Sequence, residues 1–283
     1  MAHHRYGKVL LLCESFLSWS SLPSLAVTYR QVDVPGSDYT VIFGINSAGQ
    51  MVGQYRTENG GSGFVYTDGS FKNINYPGTT SNTATAINDH GDIVGNYYTG
   101  VAGYGFLYHN GQFTSITYPG ATATQVNGIN NLGDIVGGYV DQASTWHGFL
   151  LRQGIFTSLE VPGADFISAY GINDQEIVSG YFHTYCDNNC DLVEGFLFYG
   201  GQVHTGAPNT VFYGINNLNE VVGNCNDSRG EAVIGCLSSQ HQSLYWNYPG
   251  MYLTTPYAIN NMGIVVGEIV DYSNLTHGFV AQP

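Results

Sequence analysis

Basic side chains are scarce in this chain: seven Lys and Arg stand against 21 Asp and Glu, for a formal charge of −14 at neutral pH. Displacing counter-ions from phosphates needs clustered cations, so nucleic acid is a poor partner. The same charge disfavours anionic membranes and acidic polymers, and leaves cations, neutral sugars, basic proteins or plain solubility as its meaning. Charged residues of both signs make up only 10% of the chain, while aromatics reach 14%, too many for a disordered segment. Beyond residue 26 there is no run of 18 apolar residues, the length a helix needs to cross a bilayer. Helical periodicity is missing as well. No Gly-x-Ser-x-Gly elbow, His-Glu-x-x-His, Walker loop or dinucleotide fingerprint occurs. Glu160, Asp165, Asp174 and Glu176 are scattered, without a carboxylate pair that sequence could assign to glycoside hydrolysis, and read as solvated surface.

What the chain does have is one pattern written six times. Ile-Asn recurs at Ile45-Asn46, Ile87-Asn88, Ile129-Asn130, Ile172-Asn173, Ile215-Asn216 and Ile259-Asn260, in steps of 42 to 44 residues. Short runs with period-2 alternation, rich in β-branched and aromatic residues and separated by Asn-Gly or Asp-Gly signals, mark antiparallel hairpins. Repeat two gives four strands, a to d: Thr83 to Ile87, Ile93 to Tyr98, Gly105 to Tyr108 and Phe113 to Tyr118. A repeat of this length and content predicts a β-propeller. The sixth copy ends at Pro283 without its strand d, yet Tyr29 to Gly36 matches Phe113 to Gly120 as a free-standing strand d. The expectation is therefore an all-β fold: a six-bladed propeller over residues 27–283, four antiparallel strands per blade, with the N-terminal strand completing the last blade. An open β-solenoid, which would leave both edges bare, is the competing architecture. Repeat four departs from the others: aligned on Ile177-Val178-Ser179 as strand b, it is one residue short in its a–b turn, and it carries an insertion from Tyr181 to Glu194.

Residues 1–26 stand outside the repeats. Arg5 and Lys8, the apolar run Val9 to Leu12 and the small-residue end Ser24-Leu25-Ala26 predict a signal peptide, interrupted by Glu14. A lipidated Cys13 is the weaker reading. Export leaves Cys186, Cys190, Cys225 and Cys236, an even number that predicts two local disulfides, Cys186 with Cys190 and Cys225 with Cys236. The Cys-x3-Cys group has no His pair at finger spacing, so zinc is the lesser alternative, and no metal ligand is assigned.

Repeated Asn after Ile predicts a side-chain cap on the a–b turn, and repeated Gly supplies positive φ. The b–c loops vary in length and content and share a face with the d–a connections, which makes that face the expected binding surface. Asp141 with His147 and Asp271 with His277 are spaced alike, each His directly before Gly-Phe, and Asp227 sits at the related place in repeat five. A His oriented by a carboxylate serves as acid, base or ligand; residues facing each other across a hairpin give the same spacing. Tyr104, Trp146 and Tyr272, with Tyr98, Tyr181 and Phe182, are aromatics suited to stacking on sugar rings, or to packing. The oxygen-rich insertion around Asp187, Asn188, Asn189 and Asp191 makes calcium conceivable, though the ordered spacing of an EF-hand loop is missing; no cofactor is assigned.

The strings Ile129 to Tyr139, His147-Gly148-Phe149-Leu150, Phe156-Thr157 and Pro162-Gly163 resemble the HAF family of extracellular repeats, and the likeness runs through all six copies. That resemblance implies a bacterial, exported protein and leaves its ligand open. Together these readings predict a secreted or periplasmic, monomeric, non-catalytic binding module for a glycan or an extracellular protein. The site is expected at Tyr104, Asp141, Trp146, His147, Asp271, Tyr272 and His277. The alternative is an extracellular hydrolase, lyase or lactonase working in the central funnel, and a structural role in the envelope is a third reading.

Overall fold

The computed structural model describes residues 27–79, 81–100, 102–186, 190–226, 233–238 and 243–282. The segment 1–26, Asp187, Asn188, Asn189 and Asp227 lie outside them, as do the side chains of Cys186, Cys190 and Asp191. All described regular structure is β-strand. Strand β1 is Thr28–Val32; repeat one supplies β2 (Tyr39–Ile45), β3 (Met51–Thr57), β4 (Gly60–Thr67) and β5 (Ser70–Ile74). Repeat two gives β6 (Asn82–Ile87), β7 (Ile93–Thr99), β8 (Ala102–His109) and β9 (Gln112–Ile116); repeat three gives β10 (Ala123–Ile129), β11 (Ile135–Val140), β12 (Trp146–Arg152) and β13 (Ile155–Leu159). Then follow β14 (Phe166–Ile172), β15 (Val178–Cys186), β16 (Cys190–Tyr199) and β17 (Gln202–Pro208), and after them β18 (Thr210–Ile215), β19 (Val221–Asn226), β20 (Val233–Ser238) and β21 (Ser243–Trp246). The last repeat holds β22 (Leu253–Ile259), β23 (Val265–Val270) and β24 (Thr276–Gln282).

Within each repeat consecutive strands pair antiparallel; β2 touches β24, and β14 touches β12, through single parallel contacts, Tyr39 with Thr276 and Trp146 with Phe166. The N-terminal β1 does not pair with its sequence neighbour β2. It lies antiparallel on β24, in register from Thr28 opposite Gln282 to Val32 opposite Gly278. Hydrophobic clusters form between successive repeats: Val52 and Ile74 pack with Ala84, Ile87 and Phe106, and Val32, Val266 and Val280 pack with Ile42 and Phe64. The Phe of strand c is wholly buried at Phe64, Phe106, Phe149, Phe196 and Phe279, each contributing about 1.5–3 kcal/mol of burial. In repeat five that place is taken by Cys236, which is disulfide-bonded to Cys225 with 5.8 Å between their Cα atoms. The Gly before the Phe is needed because the next repeat presses on it: a Cβ at Gly105 would stand 2.3 Å from Val126 Cγ2.

One expectation for repeat four needs correction. Its a–b turn has full length: Asn173 N–H donates to Ile177 O, and Glu176 N–H to Asn173 O, as Asn130 does to Asp134 and Gly133 to Asn130. Strand b starts at Val178, and Glu176 at φ +64° occupies the left-handed place of Gly133 at +80°. The missing glycine disguised the alignment. The insertion, in turn, is mostly strand, because β15 and β16 run on together as a long hairpin as far as Cys186 and Cys190.

An L-residue in the left-handed region costs about 1–2 kcal/mol. Gly133→Ala, with open space around the new methyl, is therefore expected to lower the unfolding free energy by about 1 kcal/mol. Glu176→Gly should raise it, by somewhat less because the exposed ion pair to Arg152 (3.1 Å) is lost. Urea midpoints of the two variants should move in opposite directions; equal signs would refute the turn assignment.

Candidate functional site: an axial channel with two wells

At the end of each strand a, the Asn side chain performs two tasks. Its Oδ1 accepts backbone N–H groups of its own turn, as from Leu132 (3.1 Å) and Asp134 (2.9 Å) to Asn130. Its Nδ2 donates to the main-chain carbonyl of the corresponding Asn in the next repeat: Asn46 to Asn88, Asn88 to Asn130, Asn130 to Asn173, Asn173 to Asn216, Asn216 to Asn260, and Asn260 back to Asn46, every distance 3.1 Å. The cycle closes on itself. All six Asn are buried.

A second tier covers this cycle. The backbone N–H groups of Ser47, Asp89, Asn131, Asp174 and Asn217 each donate to the side chain one repeat further on, at 2.7–2.8 Å. Asp174 Oδ2 also accepts from Asn131 and Asn217 side chains, at 2.9 and 2.7 Å. Burial pushes the Asp89 carboxyl up, but hydrogen bonds from Ser47 N–H, the Asn131 amide and the Ser47 hydroxyl outweigh it and hold the group below its ordinary range. Its contribution to stability is thus complete above the ordinary aspartate value near ~3.9 and is lost as pH falls through the lowered one. The two tiers enclose a polar well of about 80 Å³ on the a–b turn face.

Six isoleucines, Ile45, Ile87, Ile129, Ile172, Ile215 and Ile259, line both this well and a larger one of about 190 Å³ behind it. They form a collar between the two. The second well is shaped by a β-bulge that recurs in every strand a: register slips around Phe43, Thr85, Asn127, Tyr170, Tyr213 and Tyr257. A bulge re-aims a side chain, and five of these residues, all but Tyr213, line the cavity. Their rings make a continuous arc: Phe43 to Tyr257 is 5.0 Å between centroids, Tyr257 to Tyr213 5.0 Å, and Tyr213 to Tyr170 5.1 Å. Tyr257 O–H donates to Glu268 Oε1 at 3.0 Å. Burial raises the Glu268 carboxyl against the lowering effect of that bond, and burial followed by the Glu268 charge raises Tyr257. Opposite the arc, Thr85 donates to Val126 O (2.9 Å), and Asn127 to Ala169 O (2.8 Å) and Ser168 Oγ (3.3 Å).

None of the site residues expected from sequence lines either well. Asp141 Oδ1 accepts from Ala143 and Thr145 N–H in its own loop, Oδ2 meets His147 Nε2 at 3.0 Å, and His147 stacks on Tyr139 at 4.9 Å. The Thr145 N–H bond, then His147, lowers the Asp141 carboxyl. Asp271 caps its loop in the same way through Ser273 and Leu275. His277 differs: its Nδ1 lies 3.0 Å from Asp33 and 2.9 Å from Gln31 Nε2, with Asp271 3.8 Å from Nε2. It therefore ties the N-terminal segment to β24. Trp146 packs against Phe166 of the next repeat (5.7 Å), and Tyr104 lies 5.5 Å from Tyr97. Tyr272 is 79% exposed beside Tyr252, 71% exposed, with ring centroids 6.3 Å apart. Sequence reasoning missed the bulged residues because a bulge breaks the period-2 pattern that reads a strand.

No family model matches the chain, and none of the curated proteins matches it in sequence. Solved structures do. A protein with a provisional gluconolactonase assignment aligns over 91% of this chain and 92% of its own, at 10% identity and TM-score 0.55. The β-propeller domain of the Trilobed protease from Pyrococcus furiosus aligns over 83% and 79%, at 10% identity and TM-score 0.54. A point mutant of the Aleuria aurantia lectin, in complex with α-methyl-L-fucoside, aligns over 89% and 93%, at 11% identity and TM-score 0.50. At such identities the likeness concerns the fold alone. The chain has a β-propeller fold.

Proposed function

We propose that the chain is an exported propeller of HAF type, with six four-stranded blades closed by β1, acting as a non-catalytic binding module through the face that carries the b–c loops. The ring of six Asn hydrogen bonds and the β1–β24 ladder support the blade count and the closure. The disulfide Cys225–Cys236 supports an oxidising compartment. No helix is long and apolar enough to cross a membrane among the described residues.

One observation carries the binding reading. The larger well is walled by bulged aromatic and neutral polar side chains on rigid strands, the usual make-up of a ligand site. The ligand class is a glycan or an extracellular protein, taken by a monomer, and exposed Tyr252 and Tyr272 add stacking surface at the rim of blade six. Glu268, half-buried with its carboxyl raised, is what favours the second reading, an enzyme of hydrolase, lyase or lactonase type in the funnel.

A glycan array and an extracellular-protein panel probed with the exported chain test the proposal. We expect saturable binding that falls at least about tenfold in Tyr272→Ala while the melting temperature holds, a loss of about 1.4 kcal/mol in affinity. Turnover of lactone or glycoside substrates, abolished by Glu268→Gln, would overturn it in favour of the enzyme.

A further inference from the structure

We propose that the larger axial well binds an organic ammonium group, such as a quaternary or alkylated amine. The inference rests on the six-blade reading above and adds the chemistry of the ligand.

The bulged aromatic and polar side chains presented to this well are electron-rich, and six isoleucines complete its wall. Phe43, Tyr170 and Tyr257 line the well, and centroids 5.0–5.1 Å apart along the arc that Tyr213 completes lie about 5 Å from the axis of a six-fold ring, within the ~6 Å over which a cation and an aromatic ring interact. On the other side, Thr85 and Asn127 spend their donors on atoms of their own and the next repeat, and offer only acceptor oxygens to the well. An ammonium group needs no donor from the wall. Behind Tyr257 stands Glu268, outside the cavity lining, whose carboxylate accepts a hydrogen bond from the phenol O–H and so enriches the ring in electrons. Among the described residues no basic side chain pairs with Glu268. Arg56, which like Glu268 acts on Tyr39, is engaged by the Tyr39 ring at 4.9 Å and by Asp38 at 3.8 Å. A half-buried carboxylate without a cation carries a desolvation cost, and a ligand that brings one relieves it. The chain's net charge of −14 draws cations toward it as well.

Choline and dimethylbutanol, its neutral carbon isostere, separate charge from shape. Titration calorimetry on the whole mature chain should give saturable choline binding, with the isostere at least about tenfold weaker. Glu268→Gln should weaken choline several-fold and leave the isostere unchanged; Tyr257→Phe, which keeps the ring and loses only the link to Glu268, should behave alike. Tyr170→Leu should abolish binding of both. Equal affinity for the two probes, or no binding of choline at millimolar concentration by a folded protein, would overturn the proposal. If choline fails while array ligands still bind and respond to Tyr272→Ala, only the ammonium site falls; if array ligands fail too, the binding-module reading falls with it.

Discussion

Asn130→Asp is expected to lower the unfolding free energy by about 3 kcal/mol at neutral pH, although Asp caps turns as well as Asn does. The Oδ1 bonds from Leu132 and Asp134 survive the change. What disappears is the Nδ2 donor to Asn173 O, and a buried carboxylate then faces a carbonyl oxygen. Losing a buried donor leaves its acceptor unpaired at about 1–3 kcal/mol, and burying the charge adds to that. The new carboxyl should have a pKa above its unfolded value, so the folded state holds the extra proton between the two. Relative to the parent chain, the variant must therefore gain stability as pH falls through that raised value. Asn130→Ala, which loses the cap as well, should show a similar deficit without the pH-dependent recovery. Thermal melts from neutral pH to about 4 would read this, since about 3 kcal/mol corresponds to roughly 6–12 °C in a chain of this size. A deficit under about 1 kcal/mol, typical of a cap alone, would mean that the cycle carries no weight.

Removing residues 27–35 is expected to do still more: the chain should lose its cooperative transition. The segment supplies a five-residue ladder to β24, buries Val32 in the cluster shared with Ile42 and Phe64, and brings Asp33 to His277. Its ladder bonds and buried side chains sum to roughly 5 kcal/mol or more, a large part of a typical total of about 5–15. The bared edge of β24 would also invite pairing with other chains. A peptide covering Tyr29 to Gly36 should restore a melting transition by adding back as a strand. A truncated chain that melts like the parent would show that β1 is ornamental.

Much of this was readable from the residues. Repetition located the strands, and the orphan copy of strand d at Tyr29 to Gly36 foretold that head and tail meet, since a chain short of one strand at its end and carrying a spare at its start has one economical solution. Asn as a turn cap was readable too. Its second task was not inferred, although the sequence held a signal: Ser, Thr or Asp would cap as well, and only Asn is used in all six copies, because only Asn also carries a donor. The turn of repeat four misled because Glu176 adopts a backbone conformation that sequence assigns to glycine. The aromatic well escaped notice for a different reason. Phe43, Thr85, Asn127, Tyr170, Tyr213 and Tyr257 share a structural place but no single residue type, so a search for repeated residues could not collect them. Asp141, His147, Asp271 and His277 were legible as pairs, yet spacing alone could not say that each carboxylate also holds its own loop.

Hydrogen exchange on the intact chain, read by mass spectrometry at the level of single strands, tests ring closure most directly. If the sheets form an unbroken circle, amides of Tyr29–Val32 must exchange as slowly as those of Gly278–Gln282 and as the turn amides held by the Asn cycle, all through global unfolding. Exchange of Tyr29–Val32 within seconds, while β24 stays protected, would contradict it.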